Sequence, residues 1–181
     1  MSDEASIELP EWAIVSPERE AHIRRVVTLV DKWASAMCVE QAERDAWRDA
    51  ALYHDALRDA PPAELRALSG DTELPDALLH GPAAARLMAQ HGERRTDVLE
   101  AVRWHTVGCS DWGSTGRALY MADYLEPGRR FCRTERASLA GRVPTDFRGA
   151  LRVVVRERIE WILREGYEIP LQTVAFWNSL R

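Results

Sequence analysis

Apolar residues recur at helical spacing along nearly the whole of this chain, and nowhere do they alternate with the period of two that a half-buried strand requires. An all-α fold follows from that pattern alone. Ser16-Pro17-Glu18 reads as an N-cap, a first-turn proline and an early acid. Beyond it His22, Val26, Leu29 and Trp33 share one stripe of a helix that should run to about Met37. A second helix is expected from roughly Glu40 to Arg58, with Trp47, Ala50, Ala51 and His54 inward and Pro61-Pro62 ending it. Gly81-Pro82 places His80 just ahead of a helix that stops near Gly92, and Thr96 can cap a helix carrying Val98, Ala101, Val102 and His105. The stretch Val107 to Thr115 reads as a loop, after which Ser114 or Thr115 caps a helix with Leu119, Ala122 and Asp123. After a loop near Arg142 to Pro144, a long helix to Glu165 and a short one opened by Pro170 complete the chain. Trp33, Trp47 and Trp161 stand at stripe spacing and are expected in the core.

A chain of 181 residues is one domain by length. Residues 16–181 are read as that domain and residues 1–15 as an N-terminal extension expected to be mobile. The net charge of −5 and isoelectric point of about 5.6 offer no bulk positive field, so a nucleic-acid partner is not expected. Lys32 is the only lysine, which leaves phosphate binding to arginine guanidinium groups. Cys38, Cys109 and Cys132 form neither a disulfide framework nor a zinc pattern. Without a signal peptide or a long apolar run, the expectation is a cytoplasmic protein with no membrane contact, and a homodimer stays open.

The placement of the five histidines carries the chemistry. His22, His54 and His105 interrupt apolar stripes where an unpaired polar group is costly, and His80 stands at a helix start. His54 is followed by Asp55, and Asp123 interrupts the apolar run Leu119-Tyr120-Met121-Ala122. A single such histidine is more often a hydrogen-bonded core residue than a ligand. Four of them with two carboxylates point to a divalent metal: iron, manganese, cobalt or zinc. Helix neighbours point about 100° apart, yet His54 and Asp55 can both reach a metal at the stripe's edge, and the two oxygens of Asp55 can bridge two metals.

With these pieces in order, the sequence resembles the HD-domain phosphohydrolases, and more closely the YqeK-type symmetrical diadenosine tetraphosphatases. The matching residues are His22, Ala50-Ala51-Leu52-Tyr53-His54-Asp55, His80-Gly81-Pro82 and Val102-Arg103-Trp104-His105-Thr106-Val107-Gly108. They continue with Ala122-Asp123-Tyr124-Leu125-Glu126-Pro127-Gly128-Arg129 and Gly166-Tyr167-Glu168-Ile169-Pro170-Leu171-Gln172-Thr173, then Asn178. The resemblance implies a single HD-domain helical bundle with a dinuclear site, usually of iron. By the family pattern, one metal takes His22, His54, Asp55 and Asp123; the other takes His80, His105 and the second oxygen of Asp55. His91 matches nothing and is expected at the surface.

Asp55 and Asp123 are then the expected catalytic carboxylates, and Arg58, Arg117 and Arg129 the expected phosphate contacts. Arg58 stands where the family commonly has lysine, and Trp112 is bulkier than the pattern, placed where it can stack on a base or simply pack. The implied reaction is hydrolysis of diadenosine tetraphosphate to two ADP. Alternatives are another nucleotide hydrolase of the same kind, a deoxynucleotide phosphatase or a pyrophosphohydrolase, and a catalytically silent nucleotide-binding module.

Overall fold

The structure, a computed structural model, describes residues 7–129 and 131–180. Among these residues it is helical without strands, as the periodicity requires. The helices are α1 (Pro17–Ala36), α2 (Gln41–Tyr53), α3 (Pro62–Ser69), α4 (His80–Gln90) and α5 (Thr96–Trp104). They continue with α6 (Ser114–Leu125), α7 (Arg133–Arg142), α8 (Phe147–Arg164) and α9 (Leu171–Ser179). Helices α2, α5 and α6 pack on one another; α1 lies over α2 and α6, α4 lies over α5, and α7 and α8 cover the far side of α6.

Helix α1 begins as its sequence directs, with the Ser16 hydroxyl accepting from the Arg19 amide at 3.3 Å and Pro17 in the first turn. Its inner face buries His22, Ile23, Val26, Val27, Val30, Trp33 and Ala34. Trp33 also donates its indole N–H to the Ala140 carbonyl at 2.9 Å, which ties α1 to α7. Trp47 is equally buried and stacks on Phe147 at 6.0 Å.

Helix α2 stops at Tyr53, well short of the expected Arg58. Past it the backbone tightens into turns, with Ala56 N–H on Tyr53 O at 3.1 Å and Arg58 N–H on Asp55 O at 2.9 Å. A distant segment competes for the same groups: Ile14 donates to Ala56 O and accepts from the Asp59 amide. Of the expected extension, residues 1–6 lie outside the described residues, whereas Trp12 stacks on Tyr53 at 5.9 Å and Ile7 and Leu9 pack against the core.

Pro62, expected to end the second helix, is a helix start, and Pro82 lies near one as expected. Pro62 opens α3 and Pro82 sits in the first turn of α4, where the missing N–H has no intrahelical partner to lose. Helix α4 therefore begins at His80 itself. The expected caps at Thr96, Ser114 and Thr115 are not used. Arg95 and Gly113 hold those positions, while the Ser114 hydroxyl bonds Glu43 and the Thr115 hydroxyl bonds Asp97. Trp161 is a further correction: it is 48 % exposed beside Tyr167, because α8 outruns the helices that cover its first half.

Candidate metal centre

Helix ends build this site. His54 and His105 are the first residues past α2 and α5, and each turns its Nδ1 back onto a carbonyl of the last turn. The distances are 2.7 Å to Ala51 O and 2.7 Å to Val102 O. A carbonyl only accepts, so Nδ1 carries the proton in both rings and Nε2 faces inward as a lone pair. His22, from the middle of α1, sets its Nδ1 3.1 Å from a Glu126 oxygen with the same consequence. His80 enters from the first residue of α4, Asp123 from the last turn of α6, and Asp55 from the turn after His54.

All six side chains are buried and their inward atoms converge. Asp55 Oδ1 lies 3.3 Å from His80 Nε2 and 3.4 Å from His105 Nε2. Asp55 Oδ2 lies 3.6 Å from both His22 Nε2 and His54 Nε2. Asp123 Oδ1 closes the second group, 3.2 Å from His22 Nε2. Two triads result, His22–His54–Asp123 and Asp55–His80–His105, and within each the ligand atoms lie within 4.8 Å of one another.

Electrostatics keep both carboxylates ionised and His54 and His80 neutral, whereas for His22 burial is outweighed by the hydrogen bonds to Asp123 and Glu126, which raise the imidazole. Burial alone would raise the Asp55 carboxyl, but the imidazoles of His54, His105 and His80 around it hold it well below the usual carboxylate range. Burial likewise opposes the charged form of Asp123, and His22 with Arg129 overcomes it. Burial pushes His54 down to about 4 and lowers His80, which leaves both imidazoles neutral near pH 7.

The donor set fits divalent cations. His80 Nε2 and His105 Nε2 are 3.0 Å apart, and with the His105 proton on Nδ1 at most one proton can lie between them. His80 Nδ1 is buried without a partner. Imidazole lone pairs and carboxylate oxygens crowded together this way are ligands short of protons.

Residues outside the expected set surround the centre. Arg19 donates to Asp55 Oδ2 at 2.7 Å. Arg158, half-buried over the Tyr120 ring, reaches Asp123 Oδ2 at 3.5 Å and the Thr106 carbonyl at 3.0 Å. Glu126 is 2 % exposed and accepts from His22, from Arg25 Nε at 2.5 Å and from the Gly128 amide at 2.6 Å. Two of these three carried a signal. Arg19 stands one helical turn before His22, and Glu126 one turn after Asp123. Arg158, on the distant α8, had none.

The expected arginines divide. Arg129 is at the centre, donating to Asp123 Oδ1 at 2.7 Å. Arg58 follows Asp55 in the same turn, close enough for its charge to lower His80. Arg117 bonds none of the six, and its Nε is buried without a partner. His91 is exposed and belongs to neither triad. Of the two readings open for Trp112, the structure takes packing: it is 5 % exposed, donates to Glu100 O at 3.2 Å and meets Phe176 edge-on at 5.3 Å.

The Glu126–His22 hydrogen bond yields a first prediction. Glu126→Gln keeps the shape but removes the charge that orients and polarises the ring. Metal affinity is expected to fall by about 10- to 100-fold, as other losses of an outer carboxylate do. Titration with manganese checks this, and unchanged affinity would show that the carboxylate acts only on folding.

The HD domain family matches residues 19–128. A symmetrical bis(5'-nucleosyl)-tetraphosphatase of Halalkalibacterium halodurans is 30% identical over 139 residues, covering 72% of this chain and 73% of its own. Its counterpart from Bacillus subtilis is 26% identical over 139 residues, covering 72% and 74%. A crystal structure from Clostridium acetobutylicum, described as a predicted HD superfamily hydrolase involved in NAD metabolism, superposes with a TM-score of 0.79. The superposition covers 92% of this chain and 90% of that one at 25% identity.

Proposed function

Because the chain belongs to the HD domain family, we propose that its six converging residues hold two divalent metal ions and that it hydrolyses diadenosine tetraphosphate symmetrically to two ADP. The observation that carries this reading is the division of Asp55, one oxygen toward His80 and His105 and the other toward His22 and His54. The names of the two relatives support the substrate and the symmetry. Iron is the first choice of metal by family resemblance, and manganese, cobalt and zinc suit the same ligands.

Two such metals supply Lewis acidity at phosphoryl oxygens and a water acidic enough to attack at neutral pH. His22, His54 and Asp123 hold one side, His80 and His105 the other, and Asp55 is shared. Asp123 accepts from Arg129 on Oδ1 at 2.7 Å and from Arg158 on Oδ2 at 3.5 Å, and the long second contact leaves Oδ2 able to orient the attacking water in line with the inner phosphorus. The water oxygen bonds to that phosphorus, the phosphoanhydride bond on its far side breaks, and ADP departs. Arg19 and Arg58, on the Asp55 side, set guanidinium charge against the phosphates. No protein nucleophile is needed.

The test is where the bond breaks. The inner phosphorus atoms of a tetraphosphate are equivalent, and attack on either gives two ADP, whereas attack on an outer one gives AMP and ATP. ADP is expected as the sole nucleotide product, with oxygen from labelled water on one of the two molecules formed per turnover. Equal ATP and AMP from the first time point would overturn the symmetry. Faster turnover of a deoxynucleotide in the same panel would favour the phosphatase alternative.

A further inference from the structure

Residues 12–16 lie ahead of the span matched to the HD domain, and none of them belongs to either triad. They are nonetheless bonded to the turn that carries Asp55. In a helix continued past Tyr53, the Asp59 amide would pair with Asp55 O, and Ala56 O with the Ala60 amide. Ile14 takes one group from each of those pairs. The Asp59 amide donates to Ile14 O at 3.3 Å, and Ala56 O accepts from the Ile14 amide at 2.8 Å. The groups left over find partners three residues away, Arg58 N–H on Asp55 O at 2.9 Å and Ala60 N–H on Leu57 O at 3.1 Å.

Two further contacts lock this pairing. The Asp59 carboxylate accepts from the Ser16 amide at 2.7 Å, while the Ser16 hydroxyl caps α1 at the Arg19 amide. The Trp12 ring lies on Tyr53 with the two planes 19° apart. The turn is thereby held at both ends, Tyr53 by a ring and Asp59 by two hydrogen bonds, and His54 and Asp55 lie between them.

We infer that residues 12–16 are a brace that positions Asp55, with Trp12 and Asp59 as positioning residues. Asp55 needs this support because its two oxygens serve different triads. A tilt of the turn that brings one oxygen toward its imidazoles takes the other away from its own. The Asp59–Ser16 bond also fixes the start of α1 to the turn, which keeps Arg19 within reach of Asp55 Oδ2. The inference rests on the proposed metal centre for its chemical consequence, whereas the brace itself rests on the hydrogen bonds and the ring stack.

Amide hydrogen exchange of metal-free protein, and manganese titration of the same samples well below the melting temperature, test it. Asp59→Ala opens no cavity, because that side chain is exposed. It is expected to speed exchange of the Ala56, Arg58 and Asp59 amides. It is also expected to weaken manganese binding about tenfold, the low end of the loss seen when a group that orients a metal ligand is removed. Trp12→Ala is expected to do the same. Asp59→Asn keeps an oxygen for the Ser16 amide and Trp12→Phe keeps a ring for Tyr53, so both are expected to recover most of the affinity. Helix α8, which packs on α6, α7 and α9, serves as the control for general loosening. Unchanged manganese affinity in both alanine variants, or exchange that speeds equally in α8, would overturn the brace. No manganese binding by the unaltered protein would instead overturn the proposed metal centre, and faster exchange confined to the turn would then leave the brace standing.

Discussion

Asp55→Ala protein is expected to remain helical, to bind neither metal tightly and to lose activity by a factor on the order of a thousand or more. The reason is positional. Each Asp55 oxygen faces two imidazole nitrogens at 3.3 to 3.6 Å, so the substitution takes one ligand from each half at once. It also removes the negative charge that balances a cation beside His54 and His80, two imidazoles held neutral by burial. Asp55→Asn separates shape from charge: it keeps one oxygen and is expected to retain a single metal at most. His91→Ala, at an exposed ring outside both triads, is expected to leave metal content and rate unchanged. Two metals per chain in Asp55→Ala protein would show that the bridge is wrong.

Metal removal is expected to abolish turnover and lower the melting temperature by about 10 °C. The unfolded chain offers no assembled site, so a metal at a thousand times its dissociation constant stabilises the folded state by about 4 kcal/mol. For a chain of this size each kcal/mol corresponds to about 2–4 °C. The cause lies in where the ligands come from, since α1, α4, α6 and the ends of α2 and α5 bring them together only in the folded chain. Differential scanning calorimetry of chelated protein before and after adding manganese checks this. An unchanged melting temperature together with full activity in chelator would remove the metal from the reading.

The helical architecture and the ligand candidates were legible because both follow from local pattern. A polar residue on an apolar stripe is conspicuous, and His22, His54, His105 and Asp123 are each conspicuous in that way. The ends of helices were less legible. Nothing near Tyr53 in sequence reveals that Ile14 takes hydrogen bonds beside it and that α2 ends there. That early end has a consequence for the site, because it frees the Ala51 carbonyl to orient His54.

From the sequence alone came the all-α class, the six inward ligand candidates and the expectation of a divalent metal, because periodicity reports which side of a helix is buried. Only the tertiary structure decided which buried groups meet. Arg19 on Asp55, Glu126 behind His22, Arg158 against Asp123 and the burial of Trp112 all depend on contacts between elements far apart in the chain. A periodic pattern records that a side chain leaves water. It holds no record of the partner met there, since that partner is chosen by the packing of whole helices.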